Sequence, residues 1–251
     1  PAPTPTRRLR SAFTLVELLV VIGIIAVLAA LVVPAVMRAQ ASARNAAIKA
    51  EIDMLHMAIM NYKNEYGSFP PCADATTNYA ANGPASRHLA RLFPRCTNTT
   101  GTGSNAQFAG ASSLNSSTSI VAWLSGFTDD PTLPLTGSGG QKKLFDFDQS
   151  RINSLTYFPT GKSGAPYIYI DSSNYIVSGT IPLFTHTSGT YFAHRVPTSA
   201  AGNFTTVAQP AFNPDTFQIL CAGRDEQFGT DDDLSNFWPG TRRDYLDSLN
   251  Q

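Results

Sequence analysis

The chain begins with twelve polar and cationic residues, PAPTPTRRLRSA, and then turns apolar from Phe13 to Met37, interrupted by one carboxylate, Glu17. A helix of that length spans about 37 Å at ~1.5 Å per residue, enough for a hydrocarbon core. After Pro34 the pattern changes. Arg38, Gln40, Arg44, Lys49, Glu51 and Asp53 interleave with Ile48, Ile52, Leu55, Ile59 and Tyr62, spaced 4, 3, 4, 3. That spacing is one helical stripe. A single helix is therefore predicted over 13–66, apolar all round in its first half and amphipathic in its second, with Gly67 and Pro70 as its stop.

Beyond the helix the periods shorten. PYIYID (166–171) and NYIVSG (174–179) are separated by a polar pair and predict a hairpin, and IPLFTHT, TYFAHRV and TFQILCAG, from Ile181, Thr190 and Thr216, are further short strands. Between Thr97 and Ser119, 17 of 23 residues are Ser, Thr, Gly or Asn, which predicts a long flexible loop over 97–119. One long helix followed by a run of strands gives an α+β class, with residues 67–251 as a head built on a small antiparallel sheet.

The apolar run decides topology. Arg7, Arg8 and Arg10 precede it, so the N-terminus is expected in the cytoplasm and the head across the membrane. A secretory signal fits poorly, because its apolar region is about 7–15 residues long and ends at a small-residue cleavage site. A plain membrane anchor leaves Glu17 unexplained. A carboxylate in a spanning helix costs about 2.5–3.5 kcal/mol when central and less near the interface, so such groups usually have a partner. A cut between Ala12 and Phe13 would supply one: a new amine one helical turn from Glu17, at the helix end where the dipole favours an anion.

Composition adds limits. Lysine plus arginine equals aspartate plus glutamate, at 18 each, so charge argues against a nucleic-acid partner. Three cysteines are too few for a disulfide framework; an oxidising compartment would allow one bridge, Cys72 to Cys96 around a loop. Catalysis has no positive support. His56, His88, His186 and His194 form no metal spacing, there is no G-x-S-x-G, and GKS at Gly161 lacks the earlier glycine of a phosphate loop because that position is Thr156. Asp129 with Asp130 and Asp146 with Asp148 are expected as turn or cap residues rather than acid pairs.

AFTLVELLVVIGIIAVLAALVVPAV resembles the processing site and N-terminal helix of type IV pilins and of the pilin-like proteins of type II secretion. The resemblance implies a cytoplasmic leader, residues 1–12, removed by a prepilin peptidase between Ala12 and Phe13, and methylation of the new N-terminus. It also implies pairing of Glu17 with the amine of a neighbouring subunit, and loosening of the helix at Pro34 within a filament. Ala12 stands where glycine is usual in that family.

KAEIDMLHMAIMNY, NYKNEYGSFPP and RHLARLFP are similar to the major pseudopilin of type II secretion, as is AGRDEQFGTDDDLSNFWPG, which contains the acidic loop 223–237. Asp225, Asp231, Asp232 and Asp233 are read as converging across Gly229, and an oxygen-rich loop suits Ca²⁺. Mapped from that family, Asp225, Asp232 and Asp233 are the ligands, with Asp231 as a further candidate and the backbone of Leu220 among the carbonyl donors. A solvated acidic turn is the plainer alternative.

The expectation is a structural subunit of a type II secretion pseudopilus, a helical homopolymer that engages prepilin peptidase, the inner-membrane assembly platform, minor pseudopilins and, before assembly, the bilayer. A surface type IV pilin and an anchored extracytoplasmic binding protein that never polymerises are the competing readings.

Overall fold

The computed structural model describes residues 14–72, 83–96, 99, 114–137, 139–175, 184–186, 189–191, 193, 194, 196 and 210–250. The chain divides into two compact units, Pro1–Arg44 and Asn45–Gln251. Helix α1, Leu15–Tyr66, is assigned without a break through Pro34. In the first unit its side chains are exposed, from Leu15 to Met37.

The second unit holds the rest of α1 and the head. Here the 4, 3, 4, 3 stripe is buried: Ile48, Ile52, Leu55, Ile59 and Tyr62 are at most 4% exposed. Each such side chain stabilises the head by roughly 1.5–3 kcal/mol relative to full exposure. Gly67 ends the helix with φ 78°, a left-handed conformation natural to glycine. Helix α2, Pro84–Leu92, starts with proline at a position whose N–H needs no partner.

Helix α3, Ser119–Leu124, is wholly buried. It begins at the last residue of the loop expected over 97–119, and the described end of that loop, 114–118, is a turn. Asn115 Oδ1 accepts the N–H of Ser117 (2.9 Å) and of Thr118 (3.2 Å), forming an Asx-type turn, and Leu114, Ser116 and Ser119 are buried. The Ser/Thr-rich composition at that end serves turn and cap chemistry. Residues 97, 98 and 100–113 lie outside the described residues.

Strands β1 (Phe127–Thr128) and β2 (Gln141–Lys142) form one antiparallel pair, and β3 (Ile152–Asn153) and β4 (Thr156–Tyr157) a second. The main sheet has three strands in the order β5-β8-β9: Ile168–Asp171, Phe217–Cys221 and Leu234–Ser235. β6 (Phe184–His186) and β7 (Gly189–Tyr191) are a separate antiparallel pair.

Of the expected hairpin of 166–171 with 174–179, the first strand is present as β5, while most of the second falls outside the described residues. β5 pairs with β8, Ile168 opposite Leu220 and Asp171 opposite Phe217, while the chain after Asp171 turns into a 3₁₀ segment, Ser172–Asn174, capped by the Asp171 carboxylate. Both strands are buried throughout, as expected where a sheet is covered on both faces. Residues 176–183 lie outside the described residues. A last helix, α4 (Arg242–Ser248), is closed by a Thr241/Asp244 capping box.

No disulfide joins Cys72 to Cys96. Cys72 is fully buried, and its N–H donates to Asp171 Oδ2 (2.7 Å), whereas Cys96 is half-buried after α2. Burial, reinforced by Asp171, pushes the Cys72 thiol well up and so suppresses the thiolate that disulfide formation needs.

Two buried histidines make the head acid-sensitive. His88 lies 2.7 Å from the Tyr62 hydroxyl and is pushed down to about 4 by burial and then Arg91; His194 is pushed down to about 3 by burial and then Arg242. Both are neutral in the folded head. Below their ordinary value of 6.5 the unfolded chain takes up protons that the folded chain refuses. Their stabilisation is therefore complete above pH 6.5 and is lost as pH falls toward 4. Denaturant titration at pH 7 and pH 5 is expected to show a loss of about 2 kcal/mol per histidine; equal stabilities would contradict their neutral burial.

Candidate functional site

Two places carry the candidate chemistry, one in each unit. At the start of α1, Thr14 and Glu17 form a reciprocal cap: the Thr14 N–H and hydroxyl donate to Glu17 Oε2 (2.8 Å each), and the Glu17 N–H donates to Thr14 Oγ1 (3.2 Å). This is the S/T-x-x-E capping box. Its signature, Thr-Leu-Val-Glu, is plain in the sequence, yet the reading above assigned Glu17 only to an amine. In a single chain the carboxylate is thus held by its own helix end. Ala12 and Phe13 lie outside the described residues. Among the described residues one helix, Leu15–Tyr66, is long and apolar enough to cross a membrane.

The acidic loop connects β8 to β9. Its acids diverge. Asp232 Oδ2 accepts the N–H groups of Arg224 (2.6 Å) and Asp225 (3.1 Å), and its Oδ1 accepts the Thr230 hydroxyl (2.7 Å). Gly223, at φ 65°, lies so close that a Cβ there would sit 2.3 Å from the Asp232 carbonyl oxygen. Asp225 turns back on Gln227 N–H (2.8 Å). Asp231 faces outward to Arg243 Nη1 (3.0 Å) and Arg242 Nη1 (3.6 Å), in the first turn of α4.

Asp233 differs from the others. It is 2% exposed; its Oδ2 accepts the Gly229 N–H (2.6 Å), while its Oδ1 is buried with no hydrogen-bond partner. Burial pushes its carboxyl up to about 8, against the Gly229 N–H and Arg242 and with the help of Asp232 and Asp225. Among the described residues, no three His, Cys, Asp or Glu side chains converge as a metal group. Leu220 lies in the central strand, between Ile168 and Ser235. The donors are nonetheless all hard oxygens, and the one orphaned oxygen is of the kind a hard cation satisfies.

The segment after Asp233 ties the loop to the second half of α1. Lys49 Nζ donates to the Ser235 carbonyl (2.8 Å), and Asn236 Nδ2 lies 3.1 Å from His56 Nδ1, while Asn236 Oδ1 accepts the Ile219 N–H (2.8 Å).

Comparison with known proteins bears on the first place. A family model of the prokaryotic N-terminal methylation motif matches residues 7–33. The chain has a prepilin-type N-terminus. This methylation motif is the hallmark of type IV pilin-like and pseudopilin proteins, and it implies processing by a prepilin peptidase and assembly into pilus-like polymers. The match takes in Arg7, the Ala12–Phe13 junction and Glu17 and stops one residue before Pro34. No curated protein and no solved structure matches the chain.

One polar cluster on α1 was missed from the sequence. Glu51 Oε1 accepts Arg151 Nη1 (2.9 Å) and the Tyr157 hydroxyl; its Oε2 accepts Arg151 Nη2 (2.6 Å) and the Tyr167 hydroxyl. The side chains of Glu51 and Arg151 are 13% and 20% exposed. The signal was present in the spacing: Glu51 stands three residues after Ile48 and four before Leu55, on the face that the stripe buries.

Proposed function

We propose that the chain is a structural subunit of a type II secretion pseudopilus. Cut between Ala12 and Phe13 by a prepilin peptidase, it assembles through its N-terminal helix into a homopolymer, with Glu17 of one subunit facing the Phe13 amine of the next and Pro34 loosening the helix once it leaves lipid. The observation that carries this reading is the methylation motif at residues 7–33, which runs into a helix whose large apolar side chains from Leu15 to Met37 are exposed. The pseudopilin-like stretches around Tyr62 and Asp225 favour secretion over a surface pilus. Mass spectrometry of the native N-terminus tests the reading: a methylated Phe13 is expected, and an intact leader or a cut elsewhere would overturn it.

Calcium belongs to the same proposal. Asp225, Asp232 and Asp233, with the carbonyl of Leu220, would hold it, while Asp231 is engaged by Arg242 and Arg243. When bound, the ion would supply the positive charge that the buried Asp233 carboxylate lacks. A ligand present at 100 times its Kd stabilises by about 2.7 kcal/mol, so added Ca²⁺ is expected to raise the Tm by several degrees and a chelator to reverse the rise. Asp233→Asn should abolish that response and leave the calcium-free protein about as stable, since burial already favours the uncharged carboxyl and the amide is uncharged too. A Tm indifferent to both additions removes the ion.

A further inference from the structure

The acidic loop is held from one side by α4, and the group that holds it is a cation. An antiparallel bridge between Leu234 and Thr241 lays the start of α4 along the loop, where the Arg242 N–H donates to the Asp233 carbonyl (2.7 Å) and the Arg243 N–H to the Asp231 carbonyl (2.8 Å). The two arginine side chains then part. Arg242 is 19% exposed and Arg243 61%. Arg242 Nη1 donates to the Gly229 carbonyl (3.1 Å) and lies 3.6 Å from Asp231 Oδ1. Gly229 is the link to the buried acid. Its N–H donates to Asp233 Oδ2 (2.6 Å), so one residue gives its N–H to the acid and its carbonyl to the guanidinium. Its φ of 88° is a conformation natural to glycine.

We propose that Arg242 is the internal cation of the acidic loop, holding it closed without metal and competing with Ca²⁺ for it. The inference rests on the calcium reading above and names the residue that limits that site. Three observations single out Arg242. It grips the loop at three points, the carbonyls of Gly229 and Asp233 and the carboxylate of Asp231, whereas the side chain of Arg243 reaches only Asp231 and its own helix at Asp247. Being mostly covered, its charge is screened far less than that of Arg243. A guanidinium also keeps its charge at every working pH, so it cannot step aside by losing a proton. Acids and cation therefore balance one another inside the chain. A divalent ion arriving at Asp232 and Asp233 gains from the same acids but is repelled by the guanidinium beside them. Calcium then tightens a loop that is already closed.

The test uses the full chain in detergent, with Ca²⁺ binding followed by titration calorimetry and unfolding by circular dichroism. Arg242→Gln is expected to bind Ca²⁺ about tenfold more tightly than wild type, to melt about 5 °C lower in chelator, and to regain the wild-type Tm at saturating Ca²⁺. Arg242→Lys keeps the charge and should bind within about threefold of wild type. Arg243→Gln should do the same, because water already screens the charge that it removes. Unchanged or weaker Ca²⁺ binding by Arg242→Gln would overturn the inference and leave the calcium reading standing, as would an unchanged Tm in chelator. An equal gain in Arg243→Gln would trace the effect to net charge and overturn it too. If neither wild type nor Arg242→Gln takes up Ca²⁺, the calcium reading falls and the competition falls with it.

Discussion

Replacing Glu51 by alanine is expected to lower the stability of the head by about 3 kcal/mol, the lower part of the range for breaking a buried ion pair. The lower part applies because Arg151 retains 20% exposure, so water reaches it when the carboxylate is gone. Four donated hydrogen bonds are lost at one stroke, two from Arg151 and one each from Tyr157 and Tyr167. Both phenols are pushed up, chiefly by burial and with a smaller part from Glu51, so neither can supply a replacement charge. The Arg151 guanidinium would keep its Nε–H bond to the Phe158 carbonyl (2.8 Å) and its place over the Tyr157 ring (4.6 Å), which limits the damage. At about 2–4 °C per kcal/mol for a domain of this size, the melting point falls by roughly 6–12 °C. A double-mutant cycle with Arg151→Ala checks the cause, since the two losses should overlap by well over 0.5 kcal/mol. Strict additivity would show that the pair does not act as a unit.

Glu17→Ala is expected to remove filaments altogether while leaving the head's melting unchanged. Two roles are lost together, the reciprocal cap with Thr14 and the charge offered to a neighbour's amine. The cap alone is worth about 1 kcal/mol. An amine left unpaired in an apolar array costs more, and a loss of ~2.7 kcal/mol per contact already raises the concentration needed for assembly about a hundredfold. Glu17→Gln separates the roles, because an amide still accepts from Thr14 but carries no charge. Glu17→Gln chains should remain unassembled, and Thr14→Val chains should still polymerise. Filaments of normal yield from the glutamine variant would remove the charge pairing from the account.

What the sequence made legible was local and periodic. Helix α1 and its stripe follow from spacing alone, because a period of 3.6 repeated over many turns admits few alternatives. Strand β5 was found but its pairing with β8 was not, since a run such as Tyr167–Ile170 advertises burial without naming what lies beside it. The β3–β4 hairpin went unseen for a different reason. Its turn residues Ser154 and Leu155 both adopt positive φ, 47° and 67°, a conformation usually announced by Asn-Gly. The two capping boxes, Thr14 with Glu17 and Thr241 with Asp244, were written in the chain and overlooked. In the acidic loop the residue types were read correctly as oxygen donors, but not where each would point, because that depends on backbone turns at Gly223 and Gly229 and on the arginines of α4. Glu51 was hidden by distance: its partners lie about a hundred residues further on.

The strand order β5-β8-β9 has a consequence for biogenesis. The amphipathic half of α1 is made early, yet the central strand it packs with begins only at Phe217. At about 5–20 residues per second, translation leaves His56 without the Phe217 ring it packs on for roughly 10–30 s. The main sheet cannot close before the last seventh of the chain, from Phe217 onward, has been made, so until then the nascent head is open to proteases and to its own kind.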